Sequence, residues 1–246
     1  MTGAIRITVT ATAGSVPRDA GTEMLVWADR TEGTIGGGTL EWEAMAEARR
    51  MLREGRTSHG GRIPLGPAMG QCCGGAVSLV WEQGETLTPP AAKPLWIYGA
   101  GHVGRAIVNV MQPLPDFAIT WVDTHSSRFP LTDVTTLVAR DPARSVRHAP
   151  ANAAHLILTY SHESDLALCH ALLSQTFCSV GLIGSSTKWA RFKGRLAALA
   201  HSHAQLSRIA CPIGDPRLGK HPAAIAVSVA NAMIASRDSQ AKDCTA

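Results

Sequence analysis

The hexapeptide Gly99-Ala100-Gly101-His102-Val103-Gly104 constrains the fold of this chain more than any other stretch. It comes after a short apolar run, Leu95-Trp96-Ile97-Tyr98, and opens a segment of helical periodicity reaching about Met111. Each glycine has its own physical task in such a loop. Gly99 permits the tight turn, Gly101 lets the backbone approach a pyrophosphate, and Gly104 lets helix and strand pack closely. Free amides at the helix start then face phosphate, and Asp123, closing the next strand, is a candidate hydrogen-bond acceptor for a ribose. His102 is a further candidate for contact with phosphate or substrate. The plain alternative is that these glycines only tighten a turn.

Beyond the loop, strands and helices alternate in the pattern. Strands are expected at Ala118–Val122, Val134–Val138, His155–Thr159 and Cys178–Ile183. Helices are expected at Glu163–Ser174, with Ser161 as N-cap, at Thr187–Ala200, and from Pro222 through Ala235. This alternation predicts an α/β fold: a Rossmann-like, doubly wound parallel sheet over residues 95–236. The polar, proline-rich stretch Gly84–Pro94 reads as a linker (85–94). Residues 1–84 form a smaller, mixed α+β N-terminal domain. Its strands are expected at Ile5–Val9, Met24–Ala28 and Ala76–Trp81, and its helix at Leu40–Leu52, with Leu40, Ala44, Ala48, Met51 and Leu52 on one face. The tail, 237–246, is polar and expected to be disordered.

Composition narrows the function classes. The chain has 246 residues, a formal net charge of +4 and only 5% aromatic residues. Its Lys and Arg are dispersed, and the densest run, Arg191–Arg195, alternates with apolar residues as an exposed helix face does. A nucleic-acid groove needs a stronger basic stripe with stacking aromatics, so no nucleic-acid partner is expected. Met1–Gly14 lacks the features of a signal peptide, and the longest apolar run, Ala223–Ala235, is too short to span a bilayer. A cytoplasmic protein that does not engage membranes is expected, with its six cysteines as free thiols.

Gly70-Gln71-Cys72-Cys73-Gly74-Gly75 is the most unusual element. Two adjacent cysteines stand among residues of almost no bulk, which exposes sulfur to a ligand, and thiolate suits metals that favour sulfur. Two cysteines without a second ligand pair do not make a zinc site. A turn with small buried thiols is the structural alternative. Gly36-Gly37-Gly38 precedes the helix at Leu40 as an anion nest would, and Arg18 in Gly14-Ser15-Val16-Pro17-Arg18 adds a charged donor. Together they suggest a site for something anionic and sulfur-seeking.

These elements, with Gly33-Thr34-Ile35-Gly36-Gly37-Gly38 and Gly181-Leu182-Ile183-Gly184-Ser185, resemble the xanthine dehydrogenase accessory proteins of the XdhC family over nearly the whole chain. The resemblance implies a chaperone without turnover of its own. Such proteins bind the molybdenum cofactor (molybdopterin with its metal), protect it while its terminal sulfur is installed, and deliver it to apo xanthine dehydrogenase. It also implies a cysteine desulfurase as partner, and a chaperone feeding a dimeric enzyme is expected to be a homodimer. The cofactor-binding residues would be Gln71, Cys72, Cys73, Gly74, Arg18, Gly36, Gly37 and Gly38. Holding the molybdenum falls to Cys72 or Cys73, with Cys72 slightly favoured. In one respect the chain departs from the family. Members often carry Arg two residues after the acid of the second Rossmann strand, where this chain has His125 and its next Arg is Arg128.

Two other functions fit parts of the pattern. An NAD(P)-dependent oxidoreductase would use the glycine loop, with His162 or Lys188 as general acid or base at the carboxyl ends of the strands. A redox-sensing module would switch through Cys72 and Cys73, which requires a depressed thiol pKa.

Overall fold

The computed structural model describes residues 3–66, 74–89 and 91–236. The chain divides into two compact units, Met1–Pro89 and Pro90–Ala246. The expected disordered tail, 237–246, lies outside the described residues.

The first unit is a five-stranded antiparallel sheet with one helix. Its strands are β1 (Ile5–Ala13), β2 (Glu23–Val26), β3 (Thr31–Gly33), β4 (Ser58–Pro64) and β5 (Ala76–Gln83), in spatial order β3-β2-β1-β5-β4. The alternation of Ile5, Ile7 and Val9 turns these side chains onto one face. Helix α1 (Gly38–Glu54) meets that face with Leu40, Ala44, Ala48 and Met51, forming one apolar core with Val77, Leu79 and Trp81. The Trp81 indole N–H donates to the Ala44 carbonyl at 3.0 Å, so the large ring is buried without a stranded donor. Strands β3 and β4 were not expected from the sequence: β3 is three exposed residues and β4 begins Ser-His-Gly-Gly.

The second unit is a six-stranded, all-parallel sheet: β6 (Lys93–Tyr98), β7 (Phe117–Asp123), β8 (Thr135–Val138), β9 (Ala154–Ile157), β10 (Ser179–Leu182) and β11 (Ile209–Ala210). Their order, β11-β10-β9-β6-β7-β8, is the Rossmann order, with β6 central. Both faces are buried. Leu95 and Ile97 of β6 join a core with α2 (His102–Met111) and α7 (Pro222–Ala235). Trp96 and Tyr98, one residue out of phase, join the opposite core with α4 (His162–Leu173) and α5 (Ser186–Ala198). Two one-turn helices, α3 (Pro142–Ser145) and α6 (His203–Leu206), complete the connections. Ser161 caps α4 by accepting from the Ser164 amide at 3.3 Å, as its position predicts. The α/β class, the doubly wound parallel sheet and the mixed N-terminal unit agree with the sequence reading. No helix among the described residues is long and apolar enough to cross a membrane.

The cysteines do not all behave as free thiols. Cys169 is buried and free, its pKa pushed up to about 12 chiefly by burial, and Cys211 is free and half-buried. Cys178, just before β10, is disulfide-bonded. Being partly exposed, it is open to a second thiol in a way the enclosed Cys169 is not.

Candidate functional site

Three loops distant in sequence meet in the first unit. Ser15 forms a parallel bridge with Gly74. The Gly14 backbone comes so close that a Cβ there would lie 3.2 Å from Gly75 Cα. A Cβ on Gly75 would collide with the carbonyls of Ser15 and Ala13, so only glycine fits. Across the same loop, a Cβ on Gly36 would run into the Pro17 ring and lie 3.5 Å from Arg18 Cγ. Gly14–Arg18, Gly36 and Gly74–Gly75 are therefore one neighbourhood. Arg18 is exposed, and no hydrogen bond or ion pair engages its side chain among the described residues. Gln71, Cys72 and Cys73 lie outside the described residues; Cys73 is joined to Gly74 by the chain itself. Among the described residues no group of three or more His, Cys, Asp or Glu could hold a metal.

The amides of the triple glycine are partly spent from within. Glu41, on the first turn of α1, accepts from Ile35 N at 3.0 Å, Gly37 N at 3.1 Å and the Thr34 hydroxyl at 2.5 Å. Gly36 N donates to Thr34 Oγ1 at 3.1 Å. Burial alone would raise the Glu41 pKa, but the Thr34 hydroxyl and these amides outweigh it and hold the carboxyl below its ordinary value. Gly36 and Gly37 thus supply close approach and loop shape, while Arg18 supplies a charge without a partner among the described residues.

In the second unit the glycine loop joins β6 to α2 at the carboxyl edge of the sheet. Gly99 has φ +114°, and a Cβ there would strike the Leu158 carbonyl. A Cβ on Gly104 would strike the Gly99 carbonyl, which is the close helix–strand packing expected of the third glycine. Gly101 has nothing near its Cβ position. The Trp121 indole N–H fixes the loop from below by donating to Gly99 O at 3.0 Å.

Asp123 ends β7 as expected and is only 4% exposed. Its Oδ2 accepts from Ala100 N at 2.6 Å, and its Oδ1 accepts from Thr124 N at 2.6 Å and Thr124 Oγ1 at 3.2 Å. Arg128 Nε lies 3.0 Å from Oδ1. A carboxylate offers about four lone-pair sites. Three of them accept hydrogen bonds from the protein, and Arg128 stands against Oδ1.

Beside the loop lies an open cleft lined by Ala100, Gly101, His102, Arg105, Ser127, Arg128 and Tyr160. His102 is exposed on the first turn of α2. Arg105 is held by its own donors, Nε to Ala100 O at 3.0 Å and Nη2 to Arg128 O at 2.6 Å. The Arg128 guanidinium sits 5.0 Å from the centre of the Tyr160 ring. Sequence reasoning missed Arg105 and Tyr160 and noted Arg128 only for its spacing. A basic residue directly after the third glycine was the available signal.

Of the two acid–base candidates, Lys188 is committed to partners within the protein. Lys188 Nζ is paired with Asp165 Oδ2 at 2.5 Å and donates to Ile183 O at 2.8 Å. Asp165 is fully buried and also accepts from Thr159 N and Oγ1 at 3.2 and 2.7 Å. Offered by its position as an acid or base, Lys188 is instead enclosed, because Asp165 reaches it from α4. His162 is exposed and set edge-on to Phe192.

Comparison with known proteins matches both units. The model described as the XdhC Rossmann domain matches residues 95–233, and that described as the XdhC and CoxI family matches residues 2–61. The uncharacterised protein YqeB of Escherichia coli K12 is 30% identical over 225 residues, 88% of this chain. The chain spans 40% of the length of that relative. A crystal structure described as a xanthine dehydrogenase from Bacillus halodurans shares the fold, with a TM-score of 0.77 over 94% of this chain and 90% of that one, at 18% identity.

Proposed function

The chain belongs to the XdhC and CoxI family, and from that membership we propose that it is a maturation factor for xanthine dehydrogenase. It binds the molybdenum cofactor, shields it while a cysteine desulfurase installs the terminal sulfur, and hands it to the apo enzyme. The observation that carries this reading is the meeting of Gly14–Arg18, Gly36 and Gly74, the residue joined to the cysteine pair, in one neighbourhood. The cargo is chemically matched to such a place. Its phosphate is anionic and suits the exposed Arg18, which has no partner among the described residues. Its metal is held through sulfur and suits a thiolate from Cys72 or Cys73. The chain acts as a carrier, and a homodimer would present one such site per protomer.

The test is retention of molybdenum cofactor by the purified full chain after gel filtration. Wild type is expected to keep it, Cys72→Ala and Cys73→Ala to lose it in part or whole, and Arg18→Ala to bind about tenfold more weakly, the loss of one charge-assisted hydrogen bond. Retention by the double cysteine variant equal to wild type would defeat the thiol assignment. The same gel filtration reads the oligomeric state.

A further inference from the structure

We infer that the cleft beside the glycine loop takes a dinucleotide carrying a phosphate on its adenosine ribose, of the NADP(H) class, in preference to one with a free ribose diol. In a Rossmann domain the ribose sits at the end of the second strand, where an acid accepts its hydroxyls or a nearby arginine takes a 2′-phosphate. Here the acid is Asp123, and three of its four lone pairs are taken by Ala100 N, Thr124 N and Thr124 Oγ1, with Arg128 against Oδ1. A ribose diol entering this place finds one unused lone pair, on Oδ2, for its two hydroxyls. At least one hydroxyl would be stripped of water without replacement, which is costly.

The donors point the other way. Arg128 Nε is buried and lacks a hydrogen-bond partner, since its approach to Asp123 is an ion pair without hydrogen-bond alignment. Nε faces Asp123, while the rest of the Arg128 side chain, 34% exposed, lines the cleft and offers its outer guanidinium nitrogens to a ligand. Arg105, His102, Ser127 and the Gly101 backbone line the same cleft, and among the described residues no carboxylate does. The Asp123 charge is absorbed by its own donors behind that wall. A phosphate dianion is the ligand group that uses this excess of donors, and Arg meets phosphate with short, charge-assisted bonds. Tyr160, 73% exposed and faced by Arg128, leaves an aromatic surface at the rim.

The inference does not depend on the cargo reading. Its test is calorimetric titration of the full chain with NADPH, NADH and inorganic phosphate. NADPH is expected to bind about ten- to a hundredfold tighter than NADH, the range for hydrogen bonds to a charged group. Inorganic phosphate is expected to compete only weakly, because it lacks the rest of the dinucleotide. Arg128→Ala is expected to bring the two dinucleotides to similar affinities, and Arg128→Lys to keep part of the preference. Equal or tighter binding of NADH by wild type overturns the inference, as does failure of both dinucleotides to bind. The wild-type comparison decides even if Arg128→Ala fails to fold. The Cys72→Ala/Cys73→Ala double variant is expected to keep the preference, so failure of the cargo proposal and failure of this one are separable.

Discussion

Glu41 turns back from the first turn of its own helix to hold the loop that precedes it, and this sets a pH dependence. Its folded pKa lies below the ordinary 4.5 because the carboxylate is bonded by Thr34 and by loop amides. The bonds therefore contribute fully above the unfolded pKa, and that contribution is lost as the pH falls through the folded one. Glu41→Gln is expected to cost about 1 kcal/mol near neutrality, the scale of one cap. The gap from wild type should close as the pH falls below the ordinary carboxylate pKa and through the lowered folded one, read from urea unfolding midpoints. A gap that stays constant with pH would show that the charge is not what holds the loop. Gly104 makes a second case at this scale. Alanine would ordinarily gain about 1 kcal/mol inside a helix. Here its Cβ meets the Gly99 carbonyl, a backbone atom that cannot swing aside. Gly104→Ala is expected to destabilise by about 3 kcal/mol or more in the same assay, the strain outweighing the propensity. The third glycine was legible because its role is set by spacing alone. The Glu41 contact was not, since an acid in a first turn reads equally well as a solvent-facing charge favoured by the helix dipole.

At the scale of elements, periodicity made the long helices readable. Helix α7 begins at Pro222 and ends at Ala235 as predicted, and the predicted Leu40–Leu52 helix lies within Gly38–Glu54. Strand β4 escaped because Ser58, His59, Gly60 and Gly61 have no strand preference; its state comes from pairing with β5 along its whole length. Lys188 was misplaced for a related reason. Helix α5 exposes Arg191, Lys193 and Arg195, and only the approach of Asp165 on α4 decides that Lys188 is enclosed. The pair ties the starts of α4 and α5 to the ends of β9 and β10 through Thr159 and Ile183. Removing one partner leaves a buried charge, so Asp165→Leu is expected to cost about 3–5 kcal/mol, whereas Asp165→Leu with Lys188→Met should cost much less. Thermal unfolding of the two variants measures the difference. Equal destabilisation would mean that Asp165 matters for its bonds to Thr159 rather than for its charge.

Across the whole molecule, the apolar cores respect the division into two units. Among the described residues, one core draws only on residues from Ile5 to Trp81, and the two cores flanking the parallel sheet draw only on residues from Leu95 onward. The two candidate binding places divide in the same way. The loops around Arg18 belong to the first unit and the cleft beside Gly101 to the second. The glycine and cysteine motifs were legible one by one, but that Ser15 meets Gly74 and Pro17 meets Gly36 depends on strand pairing that no local pattern encodes. Because the parallel sheet buries both of its faces within its own unit, residues 91–236 expressed alone are expected to fold. Calorimetry of that fragment should give one cooperative transition, with a heat-capacity increment of about 2 kcal/mol/K at the per-residue average. The fragment should also keep any preference between NADPH and NADH that the full chain shows, since every residue lining the cleft lies within it. A broad transition with a much smaller increment would mean that the sheet needs the first unit to close its core. Loss of the preference in a fragment that melts cooperatively would mean instead that nucleotide binding draws on residues of the first unit.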